Sequence, residues 1–158
     1  TSIAITRTQA KKQALLDAGA AHVIVSDEED IVERVMTITA GQGARVVFDP
    51  VGGPSFEPLT QSMARGGILL VYGALSSEPT PFPLFTVLGK SLTLKGYIYA
   101  EIVADLEALE RAKAFILQGL KSGTLRPIIA KTFALSYIQD AHRFLEANQQ
   151  IGKIVVTV

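Results

Sequence analysis

The sequence contains no cysteine and no tryptophan, and neither sign of charge is in excess. Without cysteine, these 158 residues hold no disulfide framework and no thiolate metal site. Fifteen basic residues balance fifteen acidic ones, which argues against a nucleic-acid-binding surface. No apolar run approaches the roughly 20 residues that span a bilayer, and the first residues, TSIAITRT, do not resemble a signal peptide. We therefore predict a cytoplasmic globular domain with no nucleic-acid and no membrane partner.

Short runs rich in Val and Ile alternate along the chain with longer amphipathic segments. The apolar fraction of 48% is sufficient for a core of one domain. Alternation of strands and helices predicts an α/β fold with right-handed crossovers and a doubly wound parallel sheet covered on both faces. Strands are predicted at 2–5, 22–25, 44–49, 67–73, 92–97, 128–131 and 154–158, and helices at 9–18, from 31 onwards, at 55–64, 105–120 and 136–147.

Several helix boundaries carry recognisable signals. Thr8 is expected to cap the first helix and Gly19 to end it. The acidic run 27–30 is interpreted as the start of the second helix, because acidic side chains are favoured near a helix N-terminus. The three prolines within 76–83 predict a loop.

In a parallel sheet with this alternation, ligands bind beyond the carboxyl ends of the strands. The first such end is basic, with Arg7 at the strand tip and Lys11 one helical turn later. Arginine binds phosphate through its planar fork and lysine adds a point charge. A phosphate site and a solvated helix start both remain open on this pattern.

Two further strand ends contain small residues and sharp turns. Asp49 precedes Pro-Val-Gly-Gly, and it is expected either to cap this turn or, less in keeping with the pattern, to carry chemistry. Gly73 and Ala74 follow a buried strand, where small residues let a flat group lie against the backbone.

Groups suited to catalysis are scarce. His22 and His142 have no serine or carboxylate at a spacing that suggests a triad, and no cluster has metal-ligand spacing. The three tyrosines near strand ends are expected to pack with a hydrogen-bonded hydroxyl; they are Tyr72, Tyr97 and Tyr99. From the residues alone, we predict a nucleotide-type binding surface without catalytic residues.

Four segments together resemble the medium-chain dehydrogenase/reductase superfamily, and within it the branch of quinone oxidoreductases and zinc-type alcohol-dehydrogenase-like proteins. The resemblance covers essentially the whole chain. The segments are VVFDPVGGPSFEPL, GGILLVYGALSSEPTPFPLF, SLTLKGYIYAEI and HRFLEANQQIGKIVVTV.

The resemblance implies a Rossmann domain that binds NADPH and normally follows a GroES-like catalytic domain. By position, it assigns Arg7, Thr8 and Lys11 to the 2′-phosphate. The other matching positions are Asp49 and Val51 for the adenosine half, Gly73, Ala74, Tyr97 and Tyr99 for the nicotinamide, and Lys153 for the pyrophosphate. The strand within 92–97 matches the sheet edge through which family members form homodimers.

The chain departs from the family pattern at its start. It has no G-x-G-x-x-G motif, and Thr1 corresponds to the beginning of the family's second strand. We therefore expect residues 1–158 to be a partial NAD(P)-binding Rossmann domain that lacks the first strand, the glycine-rich turn and the catalytic domain. Loss of the first strand is expected to leave the second and third strands without their neighbour, to expose two long apolar edges and to drive oligomerisation.

The leading hypothesis is the cofactor-binding part of an NADPH-dependent oxidoreductase, which acts on a small carbonyl, enone or quinone supplied through the absent catalytic domain. The chain alone is expected to be inactive. The alternative is a non-enzymatic dimerisation or binding module with no competent dinucleotide site. A methyltransferase ranks low because Arg7 stands where an acidic residue would hold ribose hydroxyls. Whether the parent protein binds zinc stays open.

Overall fold

The computed structural model describes residues 1–158, which form two compact units, Thr1–Ala104 and Asp105–Val158. The first unit contains β1 (Ile3–Thr6), α1 (Lys12–Asp17), β2 (His22–Val25), α2 (Ile31–Ile38), β3 (Ala44–Asp49), α3 (Phe56–Gln61), β4 (Met63–Val71), α4 (Leu84–Lys90), β5 (Thr93–Gly96) and α5 (Ala100–Val103). The second contains α6 (Leu106–Ser122), β6 (Ile129–Ala134), α7 (Ile138–Glu146) and β7 (Lys153–Thr157).

Every strand pair is parallel, which confirms the predicted α/β, Rossmann-like architecture. The strands form three sheets, in the orders β1-β2 and β3-β4-β5 in the first unit and β6-β7 in the second. The strands that match the family's second and third are β1 and β2, and they pair with each other. The prediction that both strands lose their neighbour is wrong for β2, which pairs with β1, whereas the other edge of β1 is unpaired. Each sheet of the first unit has two unpaired edges, those of β1 and β2 in one sheet and those of β3 and β5 in the other.

One core cluster of the first unit forms around α2. Ile31 and Val35 on this helix pack against Ile24 of β2. Asp30 caps the helix, because its Oδ1 accepts a hydrogen bond from the Glu33 N–H at 2.8 Å. This confirms the interpretation of the acidic run as a helix start. Thr8, in contrast, makes no side-chain capping bond, and a 3₁₀ turn over Gln9–Lys11 precedes a short α1.

The second cluster lies on one face of the three-stranded sheet. Leu69, at the centre of β4, is fully buried and packs with Phe56 of α3 and with Met63. The opposite face, which the apolar strands predicted to be covered, is exposed: Val46 is 50% and Phe48 66% accessible. The sheet therefore presents an apolar surface on the side away from α3.

The largest differences from the predicted elements of the first unit concern β4 and the helices α4 and α5. β4 begins at Met63 rather than at 67, with an irregular register opposite Ala44, so α3 ends early. Neither α4 nor α5 is among the predicted helices; both are short, and Phe85 and Leu88 of α4 are exposed.

In the second unit, α6 begins one residue after the predicted start and ends two residues after the predicted end. Asp105 caps it by accepting from the N–H groups of Glu107 and Ala108, and Gly123 ends it in the left-handed conformation. Strands β6 and β7 pack against α7, with the rings of Phe133 and Phe144 5.9 Å apart. No helix of the structure is long and apolar enough to cross a membrane, including α6, the longest at 17 residues.

Candidate functional site

All predicted site residues except Lys153 follow strands of the first unit. Arg7, Thr8 and Lys11 follow β1; Asp49 ends β3 and Val51 lies beyond it; Gly73 and Ala74 follow β4; Tyr97 and Tyr99 follow β5. Because β3, β4 and β5 are parallel neighbours, their carboxyl ends meet at one edge of the sheet. Lys153 is the first residue of β7 in the second unit, where its N–H donates to the Ile128 carbonyl at 2.7 Å.

The turn after β3 is organised by a buried carboxylate. Asp49 is 1% exposed, and its Oδ1 accepts from the Val51 N–H at 2.8 Å and from the Gly52 N–H at 3.1 Å. Gly52 and Gly53 have φ angles of +68° and +65°, a region that only glycine enters freely. Asp49 therefore acts as the cap of this turn, in agreement with the first of the two roles considered for it.

The turn after β3 is bound directly to the segment that follows β4. The Leu75 N–H donates to the Pro50 carbonyl at 3.2 Å, and the Ser76 N–H donates to the Val51 carbonyl at 2.9 Å. Further along, the Thr80 hydroxyl accepts from the Gly53 N–H at 2.7 Å. The two strand ends thus form one hydrogen-bonded layer at the edge of the sheet.

The structure gives a reason for glycine at position 73 that differs from the expected contact with a flat ligand. A Cβ at this position would stand 2.5 Å from the Pro50 carbonyl oxygen, so the missing side chain admits the backbone of the neighbouring turn. Ala74, the next residue, is exposed. The close contact at Gly73 is therefore one between two backbone segments of the site, those of Gly73 and Pro50.

An open cavity of about 390 Å³ lies on the exposed face of the three-stranded sheet. Its lining residues are Phe48, Leu70, Tyr72, Lys95 and Tyr97. Phe48, Leu70 and Lys95 stand side by side in the strand register, and Tyr72 and Tyr97 directly follow β4 and β5. Aromatic walls beside a cation suit a flat ring that carries polar or anionic substituents.

Of the predicted residues, only Tyr97 lines this cavity, while Tyr99, at 78% exposure, is not part of the lining. Phe48, Tyr72 and Lys95 were missed as site residues. The signal that identifies them is the two-residue period of a strand, which places Leu70 beneath Tyr72 and Lys95 beneath Tyr97 on one face.

The basic segment after β1 is bound to the end of β2. The Ser26 N–H donates to the Thr6 carbonyl at 2.8 Å, and the Gln9 amide donates to Glu28 at 2.9 Å. Arg7 is exposed and Lys11 is partly buried. The segment therefore has a backbone held by hydrogen bonds, and the Arg7 side chain that it carries is exposed.

Two groups near these strands have shifted pKa values. The pKa of Glu29 is lowered, chiefly because its carboxylate accepts from the Val25 N–H at 2.9 Å, with a further contribution from Arg34 at 2.6 Å. Burial lowers the pKa of Lys90, whose ammonium donates to the carbonyls of Gln61 and Met63. Both groups stabilise the ends of elements, and neither lines the cavity.

The structure contains no group of three or more His, Asp or Glu side chains arranged to hold a metal ion. His22 and His142 are both exposed. The residues that line the cavity include two tyrosines and one lysine as their only polar members, and the lining surface itself is almost entirely apolar. Its chemistry is therefore that of binding and orienting a ligand.

Comparison with known proteins places these features among dehydrogenases. Residues 1–114 match the family described as zinc-binding dehydrogenase. The chain is 33% identical over 150 residues to the quinone oxidoreductase of Salmonella typhimurium, covering 90% of the chain and 44% of that protein. It is 27% identical over 158 residues to the 2-haloacrylate reductase of a Burkholderia species, covering 99% of the chain and 47% of that protein.

Among solved structures, Escherichia coli quinone oxidoreductase complexed with NADPH superimposes with a TM-score of 0.90. It is 30% identical to this chain and is matched over 99% of the chain and 49% of its own length. The chain thus spans about half the length of the relatives that it matches.

Proposed function

The chain belongs to the zinc-binding dehydrogenase family, as a quinone-oxidoreductase-like cofactor domain of the medium-chain dehydrogenase/reductase superfamily, and we propose that it is the NADPH-binding portion of an oxidoreductase. The reaction proposed for the whole protein is hydride transfer between the nicotinamide and a small carbonyl, enone or quinone. The relatives named for quinones and for 2-haloacrylate support an electron-poor acceptor of this kind.

The observation that carries the proposal is the fold match, over 99% of the chain, to an enzyme whose structure contains NADPH. The residues of the first unit fit such a ligand. Phe48, Tyr72 and Tyr97 offer apolar walls for a flat ring, and Arg7 and Lys11 offer cations for a 2′-phosphate.

NADPH, when bound, supplies the hydride, and the protein supplies position and electrostatics. We assign Arg7, Thr8 and Lys11 to the 2′-phosphate. Gly73, Ala74, Tyr97 and Tyr99 are assigned to the nicotinamide, Asp49 and Val51 to the adenosine half, and Lys153 to the pyrophosphate. Asp49 acts through the backbone turn that its carboxylate holds. Residues 1–158 offer no ligand set for zinc, so no step is assigned to that metal.

Calorimetric titration of the chain with NADPH and NADH tests the cofactor assignment. We expect micromolar binding of NADPH and weaker binding of NADH. Arg7→Ala is expected to weaken NADPH binding about tenfold, or about 1.4 kcal/mol for a charge-assisted contact, and to leave NADH unchanged. The matched control is Arg45→Ala, which removes an exposed arginine near the amino end of β3, away from the strand ends.

Absence of NADPH binding would instead support the alternative, a binding module without a dinucleotide site. Equal loss of both cofactors in Arg7→Ala would remove the preference for the 2′-phosphate. The chain by itself is proposed to bind NADPH without oxidising it, because the site residues assigned above all serve the cofactor and none is assigned to a substrate. Consumption of NADPH by the chain in the presence of a quinone, followed at 340 nm, would contradict the proposal that the chain alone does not oxidise NADPH.

We further propose that the chain forms a homodimer through the 92–97 edge. β5 is the last strand of its sheet, so one of its edges is unpaired. The Tyr97 N–H donates to the Val71 carbonyl of β4. The backbone N–H groups of successive strand residues point to opposite edges of the strand, so the Gly96 N–H is directed away from β4. Gly96→Pro is expected to abolish the dimer in light scattering. Gly96→Ala, which has open space for its Cβ, is the control that should remain dimeric.

A further inference from the structure

The segment from Gly73 to Pro83 lies across the Asp49–Gly53 turn and is held there by very few groups. We call this segment the strap. Its near end is bound by the backbone N–H groups of Leu75 and Ser76, which donate to Pro50 and Val51. The Ser76 hydroxyl also accepts from the Glu78 N–H at 3.1 Å, which turns the chain back on itself.

The far half of the strap has a single polar attachment. Prolines at 79, 81 and 83 have no N–H to donate. Between residues 79 and 82, the Thr80 hydroxyl forms the one hydrogen bond to the turn, accepting from the Gly53 N–H at 2.7 Å. Gly53 is buried, so this amide has no access to bulk water as a substitute acceptor while the strap is in place.

The contact between strap and turn depends on the absence of side chains. A Cβ at Gly52 would stand 2.9 Å from the Thr80 hydroxyl oxygen, and a Cβ at Gly53 would stand 2.2 Å from the Ser76 hydroxyl oxygen. Both glycines also have positive φ. The missing side chains of Gly52 and Gly53 thus leave the space that the hydroxyls of Thr80 and Ser76 occupy.

The rest of the strap contributes little burial. Leu75 is 79% and Phe82 63% exposed, so apolar packing does not hold the segment closed. The strap therefore has the composition of a hinged element, stiffened by proline and closed by one side-chain hydrogen bond at its far end.

We infer that Thr80 is a positioning residue that holds the strap closed over the Asp49–Gly53 turn and thereby fixes Gly73 and Ala74 for the cofactor. The second part of this inference rests on the proposed function, since Gly73 and Ala74 are assigned to the nicotinamide. Thr80 lies beyond the ligand positions assigned above and acts through the backbone of Gly53. Opening of the far end would leave the bonds of Leu75 and Ser76 as the remaining attachments of the strap to the turn, and would so weaken the support of the segment that begins at Gly73.

The test compares Thr80→Val, which removes the hydroxyl at nearly constant shape, with Thr80→Ser, which retains it. Hydrogen exchange of the Gly53 amide, followed by NMR, reports on the hydrogen bond directly and does not depend on cofactor binding. We expect exchange of this amide to be about tenfold faster in Thr80→Val and near the wild-type rate in Thr80→Ser, as for the loss of one acceptor from a buried amide.

Calorimetric titration with NADPH gives the second readout. Thr80→Val is expected to raise the Kd about fivefold, and Thr80→Ser is expected to restore it. Unchanged Gly53 exchange in Thr80→Val would overturn the inference. Faster exchange with an unchanged Kd would overturn the positioning role. If wild-type protein binds no NADPH, the proposed function and the positioning role fail together, while the exchange data still decide whether Thr80 holds the strap closed.

Discussion

The carboxylate of Asp49 is the polar group whose removal should disturb the strand ends most. It is 1% exposed and accepts two backbone N–H groups, at 2.8 and 3.1 Å from Val51 and Gly52. In Asp49→Ala both amides lose their acceptor, and that of Gly52 is buried. With about 1–3 kcal/mol for a buried donor left without a partner, and less for the more exposed one, we expect the free energy of unfolding to fall by about 2–4 kcal/mol.

Asp49→Asn separates the turn role from a chemical one. The amide oxygen keeps one acceptor in place, so the expected loss is about 1 kcal/mol. Hydrogen exchange of the amide of Leu69, a fully buried residue of the central strand β4, measures the free energy of unfolding of the first unit. Glu57→Ala, at an exposed acid in α3, is the matched control and should change it by less than about 0.5 kcal/mol.

Two results would refute this reasoning. A loss in Asp49→Ala as small as that in the exposed control would show that the carboxylate does not hold the turn. Equal losses in Asp49→Ala and Asp49→Asn would show that the negative charge, rather than the acceptor geometry, is what the fold requires.

Three further outcomes are expected. Stability should fall as the pH drops below about 4.5, because folding lowers the pKa of Glu29 below that ordinary value. The stabilisation by the Glu29 carboxylate is present above this pH and is lost when the carboxylate is protonated. Urea midpoints from pH 3 to 7 should show a smaller fall in Glu29→Gln. Gly73→Ala should destabilise the first unit by about 1–3 kcal/mol, since its Cβ would meet the Pro50 carbonyl, whereas Gly89→Ala, in a helix with open space, should stabilise it by up to about 1 kcal/mol in the same exchange assay. Asp105→Ala should remove the cap of α6 and cost about 1 kcal/mol in exchange from its first turns.

Sequence reasoning succeeded where the signal is local. Asp30, in the acidic run interpreted as a helix start, caps α2 because it stands directly before the helix and reaches an N–H three residues away. Asp49 was recognised as a turn residue on the same basis. The boundary of β4 was missed because a register irregularity admits Met63 to the strand, and nothing in the local pattern predicts which residue of a neighbouring strand it will oppose.

The candidate site was predicted only in part, for a related reason. The strand ends follow from the alternation of elements, and Tyr97 was placed correctly beside the cavity. Phe48 and Lys95 were missed, because a strand expected to be buried on both faces offers no reason to single out one of them. Their exposure depends on which elements pack against the sheet, and that information lies outside the strands themselves.

The sequence by itself determined the order of the seven strands, their parallel arrangement and five of the seven α-helices, because periodicity and capping act over a few residues. Tertiary structure decided how the strand ends join. The Thr80 hydroxyl meets an amide 27 positions earlier in the chain, and Gly73 is needed where the backbone of Pro50 passes. Such contacts depend on the register of neighbouring strands, so they exist only once the sheet has formed.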